Sequence, residues 1–377
     1  MNTEKLTSMS VALIASVVLT ACNTTQPQAP SAPAASGASG STAAPASGSV
    51  QINGSGATFP QPLYENWAFA YNKVDPAVKI NYSGGGSGQG KKDILAGTVD
   101  FAGSDATLTD AEFAKKPLQH IPVVAGAVVL AYNVKGVTAP LVLDGPTIGS
   151  IFAGKIEKWN DAAIAKLNPG VTLPDTVINV VHRSDGSGTT NIFTLYLTAV
   201  SDVWKGAVNP SNGTTVDWPV DKLKRGQGGK GNQGVAAAVH QTQGAIGYVE
   251  LAYAQNNKIP FAKLINAAGK TVDASPAATT AAMKDAQFSD RLTSDIENSK
   301  QPEAWPIAGF TYLLVNKDYA DCDKATKLLQ WIQWGLTNAD AQNSASQLLY
   351  APLPADVSGK AIAALKAITC KASPVLK

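Results

Sequence analysis

Three times the chain passes from a β-branched or aromatic run, through a cluster of Gly, Ser and Thr, into an amphipathic segment. The clusters are GSGATFP at 54–60, SGGGSGQG at 83–90 and RSDGSGTT at 183–190. A strand that breaks into a glycine-rich turn and restarts as a helix is the building step of a parallel sheet. The chain is thereby limited to the α/β class, with mostly parallel strands expected.

The remaining periodicity fits that class. Strands are predicted at 78–82, 120–133, 177–182, 245–249 and 309–316, where Val, Ile, Tyr and Phe concentrate. Helices are predicted at 91–96, 191–199 and 325–335, the last with Leu328, Leu329, Trp331 and Ile332 at helical spacing. With 377 residues, 45% of them apolar, the chain can build two domains of ordinary size, each with a real core.

The turns themselves suggest a ligand. A helix N-terminus carries unpaired backbone N–H groups and a positive dipole end, which together attract an anion. Glycine lets the backbone come close, and Ser and Thr hydroxyls add donors. Any one such turn is ordinarily just a capped helix start; three in one chain, one carrying Arg183, point to an anion site. Two nucleotide readings fail on inspection. GGSGQGKK at 85–92 nearly spells a phosphate loop, but Lys92 stands where a hydroxyl must hold magnesium. GQGGKG at 226–231 has the letters of a dinucleotide fingerprint, yet 221–225 before it is no strand. A net charge of +2 gives no footprint for nucleic acid. Three His and three Cys, unclustered, give no metal site, and no cofactor is expected.

The N-terminus reads as an export signal over 1–21, with an apolar stretch at 11–19 too short to anchor in a bilayer. It ends in Leu19-Thr20-Ala21-Cys22, which resembles the lipobox of bacterial lipoproteins, where the cysteine is acylated. Residues 22–49 then form the lipidated Cys22 and a tether without a charge or an aromatic, expected to be disordered. As a coil it reaches roughly 30 Å. Cys322 and Cys370 remain, and the sequence is compatible with a disulfide or with two buried free thiols.

Longer motifs carry a more specific likeness. GSGATFPQPLYENW at 54–67, GTVDFAGSDATL at 97–108, KIEKWND at 155–161 and HRSDGSGTTNIF at 182–193 occur in order. GGKGNQGVAAAV at 228–239, GAIGYVE at 244–250 and AWPIAGFTYLLV at 304–315 follow. In this the chain resembles the phosphate-binding proteins of high-affinity phosphate ABC transporters, the family called PstS. The resemblance implies the type II periplasmic-binding-protein fold: two α/β domains, 50–130 plus 308–377 and 131–307, with a ligand cleft between them. It implies phosphate ligands at Thr58, Phe59, Ser87, Asp105, Arg183, Ser187, Gly188 and Thr189, with Asp185 orienting Arg183. It also implies a monomer outside the cytoplasmic membrane, anchored to it by lipid, that hands inorganic phosphate to the membrane permease subunits and catalyses nothing.

Each role has a physical reason. Arg183 can present its planar fork to two oxygens of a dianion. Asp105, an acceptor only when ionised, can take a proton that phosphate carries and sulfate lacks. A helix cap for 110–114 or a surface loop carboxylate is the ordinary alternative for Asp105. Three other functions compete: binding of sulfate or arsenate, an extracytoplasmic phosphatase using Ser187 with His182, and a tethered surface protein. Ser187 lies outside the G-x-S-x-G elbow of such hydrolases, which weighs against the second. His120 and His240 read as structural or surface residues.

Overall fold

The computed structural model describes residues 49–377; the export signal, Cys22 and nearly all of the tether lie outside the described residues. The elements that bear on the site are labelled in chain order. The strands are β1 (Val50–Gly56), β2 (Val78–Gly84), β3 (Phe101–Ser104), β4 (Leu118–Asn133), β5 (Asn179–Arg183), β6 (Gly226–Gly229), β7 (Ala245–Glu250) and β8 (Ala308–Asn316). The helices are α1 (Gln61–Val74), α2 (Ser87–Ala96), α3 (Gly188–Val200), α4 (Gly231–Gln241) and α5 (Cys322–Thr337).

The strands form one continuous path, β2-β1-β3-β8-β4-β7-β5-β6, with the short strand Ala351–Pro352 added beside β4. Pairing is parallel for β1 with β2 and β3, and for β5 with β6 and β7. It is antiparallel where β8 meets β3 and β4 and where β4 meets β7. The sheet is therefore mixed, not mostly parallel as expected. The reason lies in β4 and β8, which run antiparallel to each other and to β7 and β3 respectively, and so join the two parallel groups.

β4 spans both groups. Its residues from Leu118 to Ala127 pair with β8, and those from Val128 to Asn133 pair with β7. All but two of its residues are buried, as expected of a strand covered on both faces. Trp305 donates its indole N–H to Val128 O at 2.9 Å, and Val128 N–H donates to Ile307 O at 2.8 Å, where the chain returns. The register of β8 against β4 skips Val123 between Thr311 and Tyr312, a bulge beside Pro122, which has no N–H to give.

α5 covers the β1 side. Leu328, Leu329, Trp331, Ile332 and Leu336 are buried, and Trp331 leans on Phe101 at 5.3 Å between ring centres. Burying such side chains stabilises the fold by about 1.5–3 kcal/mol each. Cys322, at the start of α5, is joined to Cys370 by a disulfide that closes 48 residues, with a Cα–Cα distance of 5.4 Å. No described helix is long and apolar enough to cross a membrane.

Candidate anion site

The C-terminal ends of β1, β2, β5 and β6 each run into a helix, and the starts of α1, α2, α3 and α4 converge. Outside the carboxyl ends of parallel strands is where open α/β sheets place ligands. α2 and α3 begin earlier than the sequence suggests. Ser87, Gly188, Thr189 and Thr190 are themselves first-turn residues. Their low helix propensity disguises this, but it leaves their N–H groups at the helix mouth. Gly86, at φ +90°, makes the turn into α2; a Cβ there would stand 2.2 Å from Asp185 Oδ2.

Thr58, Phe59, Ser87, Asp105, Arg183, Ser187, Gly188 and Thr189 are all buried and lie together. Gly88 N–H donates to Gly186 O at 2.9 Å, joining the second turn to the third. Ser87 Oγ accepts from Gly188 N–H and from Asp105 N–H, each at 3.1 Å. Ser187 caps α3, accepting from Thr190 N–H at 3.0 Å. Phe59 fills the space above Gly126, and its carbonyl accepts from the Tyr350 hydroxyl at 2.7 Å.

Arg183 is held from behind. Asp185 takes Nε at 2.8 Å and Nη2 at 2.5 Å, and Thr189 Oγ1 accepts from Nη1 at 3.3 Å. Of a guanidinium's five N–H donors, two remain after these bonds, one on each Nη. Burial acts to raise the Asp185 carboxyl, but the hydrogen bonds and charge of Arg183 outweigh it and hold the group below the usual carboxylate range.

Asp105 is not a cap. The short helix Asp110–Phe113 is capped by Thr109, with Glu112 completing the capping box. Asp105 Oδ1 instead accepts from the Thr311 hydroxyl at 2.7 Å, and Oδ2 lies 3.5 Å from Ser87 Oγ. Burial pushes its carboxyl up to about 7, against the pull of Thr311, Arg183 and Ser87.

Ser187 and His182 do not form a pair. His182 Nε2 meets Asp221 Oδ1 at 2.8 Å, Nδ1 meets Arg183 O at 3.1 Å, and the ring stacks on Trp218. His120 is buried, where its Nε2 accepts from Leu108 N–H, and His240 is exposed.

Two residues at the cluster escape the sequence reading. Thr311 sits in an apolar strand with no local signal. Asn232 is fully buried in the first turn of α4, bonded to both Thr58 and Thr189. Its turn, 226–231, has the letters of a nucleotide fingerprint with no strand before it. The glycines themselves are the strand: Gly226–Gly229 pairs with β5, making a fourth strand–turn–helix unit. A GGKGN run opening an amphipathic segment was the available signal.

A model described as a PBP superfamily domain matches residues 39–338. Phosphate-binding protein PstS of Xylella fastidiosa (strain 9a5c) is 41% identical over 348 residues, covering 91% of this chain and 93% of that protein. Phosphate-binding protein PstS of Pasteurella multocida (strain Pm70) is 41% identical over 313 residues, covering 82% and 88%. The crystal structure of a phosphate binding protein from Stenotrophomonas maltophilia superposes with a TM-score of 0.65 at 21% identity, covering 84% of this chain and 94% of that one. The fold is thus the periplasmic-binding-protein type, two α/β lobes around a cleft, and by sequence the chain belongs to the PstS family of phosphate-binding proteins.

Proposed function

We propose that this protein binds inorganic phosphate outside the cytoplasmic membrane and delivers it to the permease of a phosphate ABC transporter, without covalent chemistry. The observation that carries the reading is one buried acceptor among many donors: Asp105, 5% exposed, beside Arg183, Ser87, Gly188 and the starts of four helices. That arrangement suits a tetrahedral anion that still carries a proton. The named relatives are phosphate-binding proteins, which agrees with it. Thr58, Phe59, Ser87, Asp105, Arg183, Ser187, Gly188 and Thr189 are the proposed ligands, with Asp185 behind Arg183.

Hydrolysis is disfavoured because both ring nitrogens of His182 are engaged away from Ser187. The lobes are proposed as 50–130 plus 308–377 and 131–307, a division supported by the change of partner along β4. Residues 1–21 are proposed as the export signal and 22–49 as the lipidated Cys22 and its tether, which would hold a monomer at the membrane.

Calorimetry of the purified protein against phosphate, arsenate and sulfate tests the reading. Phosphate should bind tightly and arsenate more weakly or equally, since both carry a proton. Sulfate should bind weakest. Tighter binding of sulfate than of phosphate would overturn it, as would release of nitrophenol from p-nitrophenyl phosphate.

A further inference from the structure

A Ser or Thr hydroxyl has one proton to give and room to accept two. At Thr58 Oγ1 both acceptor positions are taken by one residue: the backbone N–H of Asn232 at 3.1 Å and its Nδ2 at 3.0 Å. At Thr189 Oγ1 they are taken by Asn232 Nδ2 at 3.1 Å and Arg183 Nη1 at 3.3 Å. With its lone pairs engaged, each hydroxyl must turn its proton away from these donors, towards the space between the turns. The amide of Asn232 cannot turn over. Its Oδ1 accepts from Glu250 N–H at 2.9 Å, and a flipped amide would set N–H against N–H.

We propose that Asn232 is a positioning residue that fixes the Thr58 and Thr189 hydroxyls as obligate donors to the bound anion, without touching it. This rests on the phosphate reading of the site. Ser87 differs: Gly188 N–H and Asp105 N–H fill its acceptor positions, but its own proton has Asp105 Oδ2 as a partner at 3.5 Å. The consequence is selectivity as well as affinity. A free hydroxyl rotor can receive a ligand proton, whereas a fixed donor cannot, so a proton on the ligand is directed to Asp105. Fixed donors also need no reorientation when the anion arrives.

Calorimetry with phosphate on full-length variants tests this. Asn232→Ala should weaken phosphate binding by roughly 10- to 100-fold, the worth of two buried hydrogen bonds. A merely structural residue could do the same, so the decisive readout is coupling to Thr189. In a Thr189→Val background, Asn232→Ala should cost at least about threefold less than in wild type. Asn232→Asp keeps the shape but turns the donor into an acceptor that draws the hydroxyl protons inward. It should bind phosphate more weakly than Asn232→Ala, the reverse of the order that lost packing would give. Its added charge acts equally with or without the Thr189 hydroxyl, so the same background separates the two effects. If Asn232→Ala does not fold, the isosteric Asp variant carries the comparison alone. Wild-type affinity in Asn232→Ala, or an equal loss in both backgrounds, overturns the proposal while leaving phosphate binding intact. Failure of the wild type to bind phosphate overturns both.

Discussion

At the scale of single residues, Asp105 decides which anions are refused. An ionised carboxylate facing sulfate sets lone pair against lone pair in a buried site, a mismatch that can separate ligands by roughly 10⁴-fold or more. Once protonated, the same group donates. Because burial lifts its carboxyl to about 7, this change falls within an ordinary experimental range. Below that pH sulfate meets a donor already in place; above it, sulfate must bring a proton with it. Sulfate affinity should therefore be nearly level below about pH 7 and fall about tenfold per pH unit above it. Phosphate, which retains a proton as either the monobasic or the dibasic ion, should respond far less. Asp105→Asn should abolish the sulfate slope and narrow the phosphate-to-sulfate ratio by about 10²-fold at about pH 9, where the carboxyl is ionised, as read by calorimetry. An unchanged ratio and slope would remove Asp105 from the site.

Elements set how closely the donors gather. The start of α3 presses against β3 and the start of α2 so tightly that a Cβ at Gly188 would stand 2.4 Å from both Asp105 Oδ2 and Ser87 Oγ. Gly188→Ala must push those atoms aside, and displacements of that order cost about 10²-fold in well-organised sites. Phosphate affinity should fall by about that factor. Gly359 provides the contrast: it lies within the helix Ala355–Lys366 with nothing within 4 Å of its Cβ position. Gly359→Ala should leave affinity unchanged and raise stability by about 0.5–1 kcal/mol, visible as a higher Tm.

The same elements show what can be read from sequence and what cannot. β4, β7 and β8 are legible because Val, Ile, Leu and Tyr dominate them, and α5 because its apolar stripe repeats at helical spacing. β6 is not, since Gly-Gln-Gly-Gly carries no strand propensity and pairs only because β5 lies beside it. Arg183 and Asp105 stand out as charges within motifs that hold only one other charge each, Asp185 and Asp100. Asn232 and Thr311 do not, because their roles come from partners distant in sequence: Thr58, 174 residues from Asn232, and Asp105, 206 residues from Thr311.

The molecule as a whole is proposed to work at a membrane, and that rests on Cys22 and the uncharged tether behind it. Cys22→Ser should move the protein from the membrane fraction to the soluble extracytoplasmic fraction, with phosphate binding unaltered. Firm attachment needs more than one acyl chain, since a single one gives only marginal binding. A wild-type protein that already fractionates as soluble would remove the anchor.

The path of β4 has a mechanical consequence. A joint between lobes is usually pictured as a loose loop, the least ordered part of a chain. Here one of the two crossings is a 16-residue strand, paired along its length first with β8 and then with β7, and the other leads directly into β8 beside it. Separating the lobes must bend and twist this ribbon where its partner changes, between Ala127 and Val128, because a bend elsewhere would break its ladder of hydrogen bonds. Such a joint resembles a leaf spring more than a door on a pin.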